Sequence, residues 1–150
     1  MPKKYFTIED AQKLLPKIKK SLLRLQNLKK TIDAILSVRI DSREIGYEEF
    51  IETSYGNKVS VELKNKEFLS NTKLNKEYHK ISYEFYKELE NLEKTGCVLK
   101  DLEQGLVDFY CKFEKRDIFL CWKLGEDKVK AWHEIDSGFA SRNPIIDLEQ

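Results

Sequence analysis

The chain has 150 residues, a formal net charge of +1, and 41% hydrophobic against 35% charged residues. That is enough chain for one domain with its own core, too apolar for a disordered segment, and too nearly neutral to bind nucleic acid by overall charge. No apolar run approaches the roughly 18 residues of a membrane span, and Met1 to Phe6 lacks the apolar stretch of a secretory signal, so a cytoplasmic protein is expected.

The first predicted element is a helix opened by Thr7. Its hydroxyl is placed to accept the amide proton of Asp10, while Asp10 brings negative charge to the first turn in a short version of the capping box. Phe6, just before the cap, is placed to pack on Ala11 or Leu14. Apolar residues then recur at Leu14, Ile18, Leu22, Leu25, Leu28, Ile32 and Ile35, a mean step of 3.5 residues, as along a coiled-coil seam. Pro16 falls inside the pattern and predicts a kink near Leu15 or a division into a short and a long helix. The helix is expected to fade between Val38 and Asp41.

This first segment is also the basic one. Lys3, Lys4, Lys13, Lys17, Lys19, Lys20, Arg24, Lys29 and Lys30 are opposed only by Glu9 and Asp10. Lys13, Lys17, Lys20 and Arg24 form a row at helical spacing beside the seam. Such a row suits phosphate contacts, but it lacks interleaved aromatics, and a solvated helix face is the simpler reading.

Residues 42–64 carry no clear period. Gly56-Asn57 suits a tight hairpin turn, and Val59, Val61 and Leu63 alternate as a strand would. A second helix follows, with Leu74, Tyr78, Ile81, Phe85, Leu89 and Leu92 on one stripe, stopped by Thr95-Gly96. Two such helices in succession predict an antiparallel hairpin over about residues 7–95. Because a pair covers only part of its apolar seams, a homodimer, arranged as four helices, is expected.

Beyond Gly96 the period becomes two. Val107, Phe109, Cys111 and Phe113 alternate with polar residues, as do Ile118, Leu120 and Trp122. With Glu114-Lys115 as the turn, Cys111 faces Ile118, Phe109 faces Leu120 and Val107 faces Trp122 on one apolar side. Lys112 with Asp117, Tyr110 with Phe119 and Asp108 with Cys121 make up the other. A third strand is predicted over 129–135 after a turn at Gly125-Glu126-Asp127. The expected fold is thus α+β in a single domain, a long helical hairpin followed by a small three-stranded antiparallel sheet over about 97–136, with a tail over 137–150.

At these residues the chain resembles an uncharacterised family, domain of unknown function 2203. At the start the resemblance rests on Tyr5-Phe6-Thr7, Glu9, Ala11 and Leu14-Leu15-Pro16. At the end it rests on Lys100-Asp101, Gly105 to Phe109, Leu120-Cys121-Trp122, Gly125-Glu126, Trp132-His133-Glu134, Gly138-Phe139, Arg142 and Pro144. Residues 41–66 do not carry it, and Tyr110 stands where members often have Pro. The resemblance implies boundaries and directs attention to the end motifs; it implies no reaction.

Among those motifs, a third-strand register that sets His133 opposite Cys121 and Trp132 opposite Trp122 would line Asp108, Cys121 and His133 across three strands. Carboxylate, thiolate and imidazole are suitable donors for a divalent metal such as zinc. On flat geometry the Cβ atoms of Asp108 and His133 stand roughly 10 Å apart, too far for a direct hydrogen bond. The structural alternative is a small buried cysteine and a hydrogen-bonded histidine. Cys121 as a nucleophile is disfavoured, because it sits in a strand without a helix N-terminus to lower its pKa. The three cysteines, odd in number and without a Cys-x-x-Cys spacing, argue against a disulfide framework. Asp101, Glu126, Glu134 and Arg142 are candidates either as ligands or as turn-structuring residues, with turns and ion pairs favoured.

No catalytic residue is assigned. The leading expectation is a non-catalytic interaction module that self-associates through its helices. The alternatives are a metal-binding protein or metal-dependent enzyme at the sheet and a nucleic-acid binder at the first helix.

Overall fold

The computed structural model describes the backbone of residues 3–42 and 61–148 and the side chains of residues 3–37 and 72–148. Within them lie two helices, α1 (Ile8–Ser42) and α2 (Val61–Lys94). Five strands follow, β1 (Val98–Asp101), β2 (Leu106–Phe113), β3 (Arg116–Lys123), β4 (Ala131–Glu134) and β5 (Asn143–Pro144). The α+β class is as expected, but the sheet has five strands and not three. They pair as an antiparallel meander in chain order. The two extra strands are four and two residues long, too short for alternation to show, and Pro144 takes the edge position that its missing N–H requires. Among the described residues no helix is long and apolar enough to cross a membrane.

α1 starts as its sequence predicts. The Asp10 amide donates to Thr7 Oγ1 (3.0 Å), and the Thr7 amide donates back to Asp10 Oδ2 (3.2 Å). The helix runs unbroken through Pro16 instead of dividing there. Leu15 and Ile18, on either side of the proline, are buried. Their burial, roughly 1.5–3 kcal/mol each, offsets a proline cost of about 3 kcal/mol. α2 begins well before Leu74. Val61 and Leu63, expected in a strand, are helical, because no Gly or Pro interrupts 61–94 and the run is rich in Lys, Glu and Leu. The Gly56-Asn57 hairpin and Val59 lie outside the described residues.

The chain forms two compact units, Met1–Gln26 with Lys87–Gln150, and Asn27–Tyr86. In the first, Ala11, Leu15, Ile18, Leu22 and Leu25 form a buried stripe on α1, and Val107, Phe109, Ile118, Leu120 and Trp122 form a buried face of the sheet. The stripe begins at Ala11 and Leu15, with Leu14 only half-buried. Two glutamines fasten the helix to the sheet connections. Gln12 Oε1 accepts the Val129 amide (2.5 Å), and Gln26 Nε2 donates to the Leu102 carbonyl (3.0 Å). Phe6 meets Phe109 edge-on at 5.1 Å. Beside α2, Ser21 donates to Glu88 (2.6 Å). In the second unit, of the described side chains only Ile35 is buried; Leu28, Ile32, Leu74, Tyr78, Ile81 and Phe85 are half-exposed.

The β2–β3 register is the expected one, with Asp108 opposite Cys121 and Lys112 opposite Asp117. Glu114 and Lys115 both have positive φ, 50° and 62°, the backbone of a two-residue hairpin turn whose twist matches the strands. Gly105, between β1 and β2, has φ 71°, and a Cβ there would stand 2.5 Å from Leu124 Cβ. That position requires glycine for both reasons.

Candidate functional site

The polar side of the sheet carries Asp108 on β2, Cys121 on β3 and His133 on β4. The β3–β4 register differs from the expected one by two residues: His133 faces Phe119, Trp132 faces Leu120, and Ala131 faces Cys121. A shift of two keeps every side chain on its face, so the three polar residues still share one side. The expectation that Asp108 and His133 are too far apart to bond is overturned. His133 Nε2 lies 3.0 Å from Asp108 Oδ2. The strands are two apart, but a carboxylate and an imidazole extend toward one another above the short Cys121 side chain.

All three residues are 2% exposed. Their donor atoms lie within 4.8 Å of one another. They sit at the base of a cavity of about 100 Å³ lined further by Lys100, Leu106, Ser137, Gly138 and Phe139.

Hydrogen bonding fixes the proton count at the histidine. Nδ1 is 2.8 Å from the Glu134 carbonyl oxygen, which only accepts, so Nδ1 carries a proton. Nε2 and Asp108 Oδ2 then need one proton between them, because two lone pairs do not face each other at 3.0 Å. Burial raises the Asp108 carboxyl above its ordinary value, opposed by the His133 charge, the Cys121 thiol and Lys100. Burial, followed by the Asp108 charge, pushes the Cys121 thiol up to about 12. Cys121 is therefore a protonated thiol at neutral pH, unsuited to nucleophilic attack. Asp108 Oδ1 is buried without a hydrogen-bond partner.

This donor set fits a zinc-sized ion. Two donors on a tetrahedral zinc stand roughly 3.3–3.8 Å apart, so drawing the three together from a spread of up to 4.8 Å requires a movement of about 1 Å. The Nδ1–H bond to Glu134 holds the ring with Nε2 facing the other donors, the outer hydrogen bond that metal-bound histidines use.

The other candidates lie elsewhere. Asp101 Oδ1 accepts the Gln104 amide (3.0 Å) and structures the β1–β2 turn. Glu134 pairs with Arg116 (2.7 Å). Glu126 accepts the Lys123 amide (2.7 Å) and holds Arg142 (2.9 Å). Arg142 also donates to the Cys121 carbonyl (3.2 Å), so it braces the strand beneath the thiol. Trp122 Nε1 donates to the Glu126 carbonyl, and both tryptophans are buried. Of the basic row, Lys13, Lys17 and Lys20 are exposed, while Arg24 pairs with Glu88 at 3.5 Å.

Lys100 and Phe139 were not legible as lining residues. Lys100 falls where the β1–β2 register shifts between Leu99 and Asp101, a bulge that re-aims a side chain. Phe139 arrives through a 3-10 turn at Phe139–Ser141. Neither has a local period to announce it; their only sequence signal is their place in the family motifs.

The model of a family described as uncharacterised conserved protein (DUF2203) matches residues 4–145, a span that includes the middle segment. No curated protein and no solved structure matches the chain.

Proposed function

We propose, for a chain that belongs to the DUF2203 family of uncharacterised conserved proteins, a role in binding one divalent cation, with zinc the best match to its donors. The observation that carries this reading is the convergence of the buried Asp108, Cys121 and His133, whose donor atoms lie within 4.8 Å of one another. The pre-set orientation of the His133 ring and the partnerless Asp108 Oδ1 support it. A Cys–His–carboxylate set combines a soft and a hard donor around imidazole, which suits zinc better than magnesium or calcium. Three protein donors leave one position of a tetrahedral ion for an exchangeable ligand.

Untagged protein, stripped of metal and titrated calorimetrically with zinc, is expected to bind one ion. The site must lose the Cys121 proton and the one shared by Asp108 and His133, so about two protons leave per ion. Repeating the titration in buffers of different ionisation enthalpy measures that number. His133→Gln and Asp108→Asn are each expected to weaken binding at least tenfold. Folding of the variants is checked by circular dichroism. No zinc uptake by the folded native chain ends the proposal.

A second reading, self-association through the helices, is favoured by the half-exposed seam of the Asn27–Tyr86 unit and by Tyr86, 67% exposed. Sedimentation velocity is expected to show a dimer. A monomer throughout the micromolar range rejects this reading and leaves the metal proposal untouched.

A further inference from the structure

Around the mouth of the cavity the charge is positive. Lys100 lines it, with its ammonium 4.4 Å above the Phe119 ring, and Phe119 in turn packs on the His133 ring at 5.5 Å. On the other side Phe139 lies between the Lys123 ammonium (5.3 Å) and the Arg142 guanidinium (4.7 Å). Arg142 is neutralised by Glu126. Among the described residues neither Lys100 nor Lys123 has a carboxylate partner. Cation–ring contacts hold a side chain in place without cancelling its charge, so both ammonium groups keep their attraction for an anion.

The Lys100 position is built. The register shift between Leu99 and Asp101 falls at this residue, and its side chain lines the same cavity as the three donors. Size adds a limit. The cavity of about 100 Å³ exceeds several-fold the roughly 10–15 Å³ that one water requires on this measure. A ligand group of a few heavy atoms fits.

We infer that the cation held by Asp108, Cys121 and His133 keeps its remaining position for a small oxyanion, a carboxylate or phosphate group that enters past Phe139 and is met by Lys100. This rests on the metal-binding reading above and deepens it. The protein's donors hold the ion, Lys100 supplies the charge complement outside it, and Phe139 forms one wall of the entrance.

The test uses the chain loaded with cobalt(II) in place of zinc, with free metal removed, and follows the visible absorption of the bound ion. Inorganic phosphate and acetate are titrated separately, with chloride as a control. A saturable spectral change is expected with at least one oxyanion and not with chloride at the same concentration. Phosphate alone, or acetate alone, then names the anion. Lys100→Gln is expected to retain the cobalt spectrum and to bind the responding anion roughly tenfold more weakly, the loss of one charge-assisted contact. Lys13→Gln, on the exposed helix surface, is expected to change nothing. A spectrum indifferent to both oxyanions, an equal response to chloride, or unchanged anion affinity in Lys100→Gln overturns the inference and leaves the metal reading standing. Failure of cobalt to give a thiolate charge-transfer band overturns both.

Discussion

The two compact units use the same apolar spacing to different ends. In the Met1–Gln26 and Lys87–Gln150 unit, the α1 seam from Ala11 to Leu25 is covered, and among the described residues all the buried polar ones, Ser21, Thr95, Asp108 and His133, lie there too. In the Asn27–Tyr86 unit, among the described residues, the continuation of that seam through Leu28 and Ile32 is half-exposed and only Ile35 is buried. A period of 3.5 residues tells which side of a helix is apolar; it does not tell whether anything covers it. Where a sheet face is available, the helix is buried and a polar pocket becomes affordable on the far side of that sheet. Elsewhere the stripe stays half-open.

The sharpest way to break this contrast is to remove core volume from each unit. Trp122→Ala is expected to cost about 3–5 kcal/mol in urea unfolding, against about 1 kcal/mol or less for the half-exposed Phe85→Ala. Equal losses would mean that the second unit has a core of its own. Zinc sharpens the contrast from the other side. At a free concentration 100 times its dissociation constant it is expected to add about 2.7 kcal/mol of stability. Hydrogen exchange should show that gain as slower exchange in β2, β3 and β4, with the amides of residues 72–86 unchanged. Uniform protection along the chain would couple the units.

A smaller gain is expected at the β2–β3 turn. Glu114 and Lys115 hold positive φ without glycine or asparagine, so Glu114→Asn with Lys115→Gly should raise stability by about 1 kcal/mol, read as a higher urea midpoint at unchanged slope. The smallest effect concerns the start of α1. Asp10 is held below the usual carboxylate value first by the Thr7 backbone amide and then by the Thr7 hydroxyl. Its contribution is complete above the unfolded value near 3.8 and is lost as pH falls through its lower folded value. In Asp10→Asn the acid limb of the stability curve should be slightly flatter, and an identical limb would remove the capping argument.

Much of this was legible beforehand. The Thr7–Asp10 cap, the stop at Thr95-Gly96, with Gly96 at φ 95°, and the pairing of Val107 with Trp122 all follow from local patterns and occur as expected. A two-residue turn ties the β2–β3 register to adjacent sequence, so the chain had no freedom to choose another. The β3–β4 connection is longer and imposes no such tie. Its register was decided by packing, two residues from the expected one. Strands β1 and β5 are too short to read. The helical start at Val61 was hidden by a brief alternation that outlasting helix propensity overrides.

What the sequence determined by itself is therefore the set of contacts made between near neighbours: caps, the long helices, the alternation of faces, and the shared side of Asp108, Cys121 and His133. Tertiary structure alone decided how closely those three meet, that Lys100 and Phe139 frame their pocket, and which length of seam is buried. The reason is physical. Side-chain direction is set by the backbone within a few residues, whereas distance across strands and burial depend on what distant chain arrives opposite, and no local period encodes that.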